Sequence, residues 1–201
     1  MRISLILIVV VCIFLSSCDR ESSKLGDKYF KEGNYELAIK EYTEYLKLRP
    51  KHIKTIYNRG RAYEELAVYE KALDDFVKVT ELDENNDNAY LSIGKYYYRQ
   101  DNFDKAGLYF DKAIDINKRN ANAYYLKARV SHIRGLFNEA TEGYSTAISI
   151  DSEMGEAYLY RGAIKISLKR RNSACNDFKI AKSLNIKEAE EAVRKYCRSY
   201  I

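Results

Sequence analysis

Four thiols, two imidazoles and adjacent carboxylates such as Glu64-Glu65 and Asp74-Asp75 are the groups in this 201-residue chain with chemistry to offer. The thiols are Cys12, Cys18, Cys175 and Cys197; the imidazoles are His52 and His132. Two histidines without a metal-ligand spacing of cysteines give no zinc site. Asp74-Asp75 and Glu64-Glu65 are adjacent, and adjacent helical residues do not converge on one substrate atom. They read as charge on the outside of helices. His52 follows Pro50 and reads as solvated loop surface. The sequence holds no glycine-rich phosphate loop, nucleophile elbow or His-x-x-x-His pair. Lys169-Arg170-Arg171 is a short basic run, read as a solvated turn. The net charge of +5 is spread along the chain, whereas a polyanion binder gathers its charge on one face. The expectation is a protein with no enzyme activity, catalytic residue, cofactor, metal, nucleic acid or small-molecule substrate.

Cys18 sits at a boundary. Leu5 to Leu15 is a run of eleven uncharged, mainly apolar residues behind the charge of Arg2. A spanning helix needs roughly 20 such residues, so this run has the length of a signal-peptide core. Leu15-Ser16-Ser17-Cys18 follows, then polar Asp19-Arg20-Glu21. This stretch resembles a bacterial lipobox, with an ordinary secretory signal or an uncleaved anchor as the alternatives. The resemblance implies residues 1–17 as lipoprotein signal peptide, Cys18 as the lipidated thiol and 18–23 as a short tether. It further implies a lipid anchor in a membrane of the bacterial cell envelope, facing the periplasm or the cell surface. Export would leave Cys175 and Cys197 as a pair in an oxidising compartment.

The elements that would position these groups repeat. Gly26, Gly60, Gly94, Ala128 and Gly162 lie 34 residues apart. Ala38, Ala72, Ala106, Ala140 and Ala174 hold the same spacing, as do the rings of Tyr42, Phe76, Phe110, Tyr144 and Phe178. The steps Tyr35, Ala38, Tyr42 put one aromatic–small–aromatic stripe on a helix face. The pattern resembles the tetratricopeptide repeat, and the Lys-, Tyr- and Asn-rich composition and the closing segment from Ala174 to Cys197 resemble Bacteroidetes-type lipoproteins carrying such repeats. That family implies an all-α fold. It would be a right-handed superhelical solenoid of five helix–turn–helix units over residues 19–186, starting near 19, 53, 87, 121 and 155. The small residues would let paired helices approach, and the rings would fill the space between units. Pro50 alone matches the family's proline; Glu84, Lys118 and Ser152 replace it later, which should weaken those turns. Lys165 and Arg171 replace aromatics in the fifth unit.

Residues 187–201 form a predicted capping helix, with Ala189, Ala192, Val193, Tyr196 and Cys197 on one stripe. A helix packed there brings Cys197 toward Cys175, so a disulfide is expected; two buried free thiols are the alternative.

First helices line the concave groove in this family. Counted from the small position, they present Arg61, Lys95 and Arg129, with Tyr57, Tyr98, Tyr125 and His132 nearby. Repeated cations in a concavity attract acidic segments, and tyrosine supplies rigid contact area. The expected function is a membrane-tethered scaffold or adaptor that binds a protein or an extended acidic peptide in this groove. A glycan- or peptidoglycan-associated envelope subunit is the alternative.

Overall fold

The computed structural model describes residues 23–197; Cys18 and the signal segment lie outside them. Eleven α-helices and no strand occur among the described residues. Helix α1 spans 23–31. The others are α2 Tyr35–Leu48, α3 Ile53–Glu65, α4 Tyr69–Leu82, α5 Asp87–Arg99, α6 Phe103–Ile116, α7 Ala121–Ile133, α8 Phe137–Ile150, α9 Gly155–Ser167, α10 Arg171–Ser183 and α11 Lys187–Tyr196. The chain divides into two compact units, Met1–Ser92 and Ile93–Ile201, with the break inside α5.

Within each helix pair the small residue of the first helix receives the ring of the second. A Cβ on Gly60 would lie 2.9 Å from the Phe76 ring, and one on Gly94 would lie 2.5 Å from Phe110. Only hydrogen fits, so a ring can lie flat on the facing backbone. The rings therefore serve packing inside their own pair, a more local role than the spacing between units expected of them. Ala38, Ala72, Ala106, Ala140 and Ala174 are all buried beside them. In the first unit, Leu46, Ile56, Val79 and Ala89 form one core cluster. In the second, Tyr125, Tyr144, Ala147, Ala157 and Ile164 form another.

The turn inside each pair is a left-handed residue at fixed spacing: Gly33, Ala67, Asp101, Gly135 and Lys169 all have positive φ. The next amide bonds back five residues, as in Asn34 to Tyr29 O, Val68 to Tyr63 O and Arg170 to Lys165 O. This is the Schellman closure of a helix C-terminus.

The turns between pairs are better held than the loss of proline implies. Asp83, Asn117 and Asp151 each accept a bond from the amide two residues on, at 3.1, 3.0 and 2.9 Å. His52 Nδ1, Asn86 Oδ1 and Asn120 Oδ1 each accept from the amide three residues on, at 3.3, 3.1 and 3.0 Å. Side-chain oxygens and one imidazole thus satisfy the free N–H groups of α3, α5 and α7. His52 is therefore a half-buried helix cap against Tyr45, not a solvated loop residue.

A second correction concerns Asp75. It is buried, and the Arg59 fork grips both its oxygens at 2.8 and 2.7 Å. Arg161 and Asp177 repeat the arrangement at 3.0 and 2.8 Å, with Lys165 adding a bond of 2.7 Å. Lys165, which stands where other pairs have an aromatic, is thus the second cation of a buried pair.

The C-terminal helix lies on α10. Ala189 is buried and Ala192, Val193, Tyr196 and Cys197 are half-buried, with the intervening residues exposed. Tyr196 stacks on Phe178, ring centroids 6.0 Å apart. Cys175 and Cys197 are joined as a disulfide with Cα atoms 5.4 Å apart. Arg171 donates to the Tyr196 carbonyl, so the residue that departs from the aromatic pattern binds the cap.

Candidate functional site

The second unit gathers a cation and a set of rings on its first helices. Arg129 of α7 lies between two tyrosines: its guanidinium carbon is 5.5 Å from the Tyr98 ring centroid on α5 and 4.7 Å from Tyr160 on α9. Ring faces are electron-rich, so the sandwich holds the cation without neutralising it. No carboxylate pairs with Arg129 among the described residues. Burial opposes its charge, yet the surrounding phenols of Tyr125, Tyr98 and Tyr160 hold its pKa above the ordinary arginine value.

Behind the sandwich stands Tyr144 of α8. Its ring stacks on Tyr160 at 6.1 Å, and it is fully buried. Its hydroxyl has no hydrogen-bond partner. An unpaired buried hydroxyl costs about 1–3 kcal/mol. Burial pushes this phenol's pKa far up, and the Arg129 charge draws it partly back. It therefore stays protonated.

His132 completes the wall. Its ring meets Phe137, Tyr144 and Tyr160 edge-on at 5.9, 6.3 and 6.3 Å. Burial, then the Arg129 charge, lowers its pKa below the usual histidine value. At neutral pH it is an uncharged polar ring beside a fixed cation.

Tyr125 departs from the role of exposed contact area. It is only 6% exposed, and its hydroxyl donates to Glu156 at 2.7 Å. It ties α7 to α9 and so positions Arg129 and Tyr160. Tyr98 is half-buried, with Phe103 against its ring at 5.5 Å. Lys95 is half-buried on the same helix as Tyr98. In the first unit Arg61 is exposed and lies 4.8 Å from the Phe30 centroid, while Tyr57 packs against Phe76 at 5.5 Å. There Asp27 accepts from Tyr42 at 2.8 Å, Asn58 at 2.9 Å and Lys54 at 3.3 Å. The first unit thus satisfies its buried phenol internally, whereas the second leaves Tyr144 open.

Sequence reasoning missed Tyr160. It lies two positions before Gly162, where the other units carry Asn58, Ser92 and Leu126, so no register marked it. No group of side chains able to hold a metal ion, and no helix long and apolar enough to cross a membrane, occurs among the described residues.

A helix-pair repeat in which a ring of the second helix packs on a small residue of the first defines a repeat scaffold. Family models for the TPR repeat and the tetratricopeptide repeat match residues 26–66 and residues 57–121 and 91–155. Together they span most of the helical array, and the chain belongs to the tetratricopeptide repeat family. Among solved structures it is similar to MamA, at 28% identity and a TM-score of 0.69, over 82% of this chain and 96% of MamA. It is similar in fold to Pseudomonas aeruginosa PilF, at 14% identity and a TM-score of 0.75, over 84% of this chain and 77% of that one. YrrB, a tetratricopeptide repeat protein with an unusual peptide-binding site, is 17% identical with a TM-score of 0.66, over 87% and 90% of the two chains. No curated protein matches the sequence.

Proposed function

We propose that this protein is a membrane-tethered scaffold that holds a partner protein by an extended, carboxylate-bearing segment seated at Arg129. One observation carries the reading: Arg129 sits between Tyr98 and Tyr160 with no carboxylate of its own among the described residues. A carboxylate accepts a charge-assisted bond from the guanidinium. A glycan reading is weaker, because one face of Tyr98 and one of Tyr160 are already covered by the guanidinium.

The tether belongs to the same proposal. Its support is the pattern of residues 5–18, with Cys18 as the acceptor of lipid, and it places the protein in a bacterial cell envelope. A single acyl chain anchors marginally and stable anchoring needs two signals, which a diacylglycerol on Cys18 supplies.

Selection of a random peptide library on the purified chain from Asp19 onward, which lacks the apolar run and the lipid acceptor, tests the ligand class. Enriched peptides should carry Asp, Glu or a C-terminal carboxylate, and Arg129→Gln should abolish that enrichment. Enrichment of basic or purely apolar peptides, or the same acidic peptides from the Arg129→Gln protein, would reject the reading.

A further inference from the structure

A second recess lies in the α7–α8 pair, away from Arg129. It is a cleft of about 280 Å³ whose lining includes Tyr124, Lys127, Ser131, Glu139, Glu142 and Gly143. Three of the other helix pairs fill the equivalent place with their own side chains. In α3–α4 it holds the Arg59 guanidinium, forked onto Asp75 and bonded to Thr43 at 3.3 Å. In α9–α10 it holds Arg161, forked onto Asp177 and bonded to Ser145 at 3.0 Å. In α5–α6 it holds Tyr97 stacked on Tyr109, centroids 5.4 Å apart.

The 34-residue register explains why α7–α8 is open. Where Asp75, Tyr109 and Asp177 stand, this pair has Gly143. Where Tyr63, Tyr97 and Lys165 stand, it has Ser131. A Cβ on Gly143 would lie 2.8 Å from the Ala128 Cβ, so the close approach of the helices keeps that side chain out. Lys127 stands in the register of Arg59 and Arg161, but it reaches back to Asp111 at 2.6 Å. Its ammonium is thereby committed to Asp111 rather than to Glu139 or Glu142. Glu139 accepts from the Ser131 hydroxyl at 3.0 Å, and neither Glu139 nor Glu142 is paired with a cation among the described residues. The recess therefore has two carboxylates without a cation partner and a tyrosine in its wall.

We infer that this cleft binds the guanidinium of an arginine side chain presented by a partner protein, in the place that Arg59 and Arg161 occupy in their own pairs. A guanidinium is flat, stacks on a ring and presents its donors in a fixed planar fork, whereas a lysine ammonium is a compact point charge. The site is independent of the Arg129 reading, since it uses the opposite charge and other residues of α7.

Titration of the chain from Asp19 onward with N-acetyl-arginine methylamide, followed by amide NMR shifts, tests it. Affinity for one side chain should lie in the millimolar range, so titration runs to about 50 mM. Saturable shifts should centre on Ser131, Gly143 and Thr146, with the lysine analogue markedly weaker and the uncharged citrulline analogue silent. Ser131→Tyr, which fills the cleft, and Glu139→Gln with Glu142→Gln, which removes its charge, should each abolish the response. The Gln pair serves if the Tyr variant misfolds. Absence of saturation, an equal response to lysine or citrulline, tighter binding of N-acetyl-tyrosine methylamide, or an unchanged response in the Gln pair would overturn the assignment.

Discussion

Arg59 and Asp75 show how strongly a single buried pair binds the design of one helix pair. Their side chains are 20% and 6% exposed. The Asp75 hydrogen bond lifts the Arg59 pKa above its ordinary value against the pull of burial. Asp75→Asn leaves a guanidinium charge half out of water, and breaking such a pair costs about 3 kcal/mol. The double replacement Arg59→Met with Asp75→Leu should cost far less, since it removes both desolvation penalties. Urea unfolding of the three proteins checks this; a double variant as unstable as Asp75→Asn would contradict it. The sequence did not betray this pair because the arrangement occurs in only two helix pairs, and a lone Asp-Asp doublet looks like surface charge. Ala67 offers a second test. Its φ of 57° is left-handed. Such a conformation costs an L-residue about 1–2 kcal/mol, against roughly 0.5–1 kcal/mol for the extra flexibility of glycine. Ala67→Gly should therefore stabilise by about 0.5 kcal/mol in thermal unfolding. Gly33→Ala, at φ 77° with open space around its Cβ, should destabilise by about 1 kcal/mol. Destabilisation by Ala67→Gly would mean that the turn carries no strain.

Helices were the most legible level, because their packing tolerates few residue types. A ring lying on a backbone needs glycine or alanine beneath it, and that demand returns every 34 residues. Turns were less legible. Strain of about 1 kcal/mol at one residue is outweighed by two packed helices, so Ala67 and Lys169 can stand where glycine serves elsewhere. The Asx turns that replace proline use Asp and Asn, which look like ordinary polar surface until their bonds are traced. The end of the array depends on a covalent link as well as on packing. Only Ala189 of α11 is fully buried, so the helix has little apolar contact to hold it. The Cys175–Cys197 bond closes a sequence separation of 22 residues, which is worth about 3 kcal/mol in the chain-entropy model. Cys175→Ser with Cys197→Ser should speed hydrogen exchange at residues 187–196 while leaving α3 and α4 protected. Unchanged protection of α11 would show that packing alone holds the cap.

For the molecule as a whole, repeat architecture and tether are separate statements. The family places the chain among repeat scaffolds. The proposed anchor rests on Cys18 at the end of an apolar run, and Cys18→Ala should abolish fatty-acid labelling. Continued labelling would remove the lipobox. The recognition face was legible in part. Arg129, Tyr98 and His132 follow from the register of first helices, whereas Tyr160 and the open Tyr144 hydroxyl depend on neighbours that no spacing reveals. The central claim is that Arg129 receives a carboxylate. Calorimetric titration of a selected acidic peptide into wild-type, Arg129→Gln and Arg61→Gln proteins at two salt concentrations tests it most directly. Loss of one half-buried charge-assisted contact should weaken binding by about 2 kcal/mol, roughly thirtyfold, in Arg129→Gln and flatten its salt dependence. Arg61→Gln, an exposed cation, should change little. Equal affinity and equal salt slope for wild-type and Arg129→Gln would contradict the account.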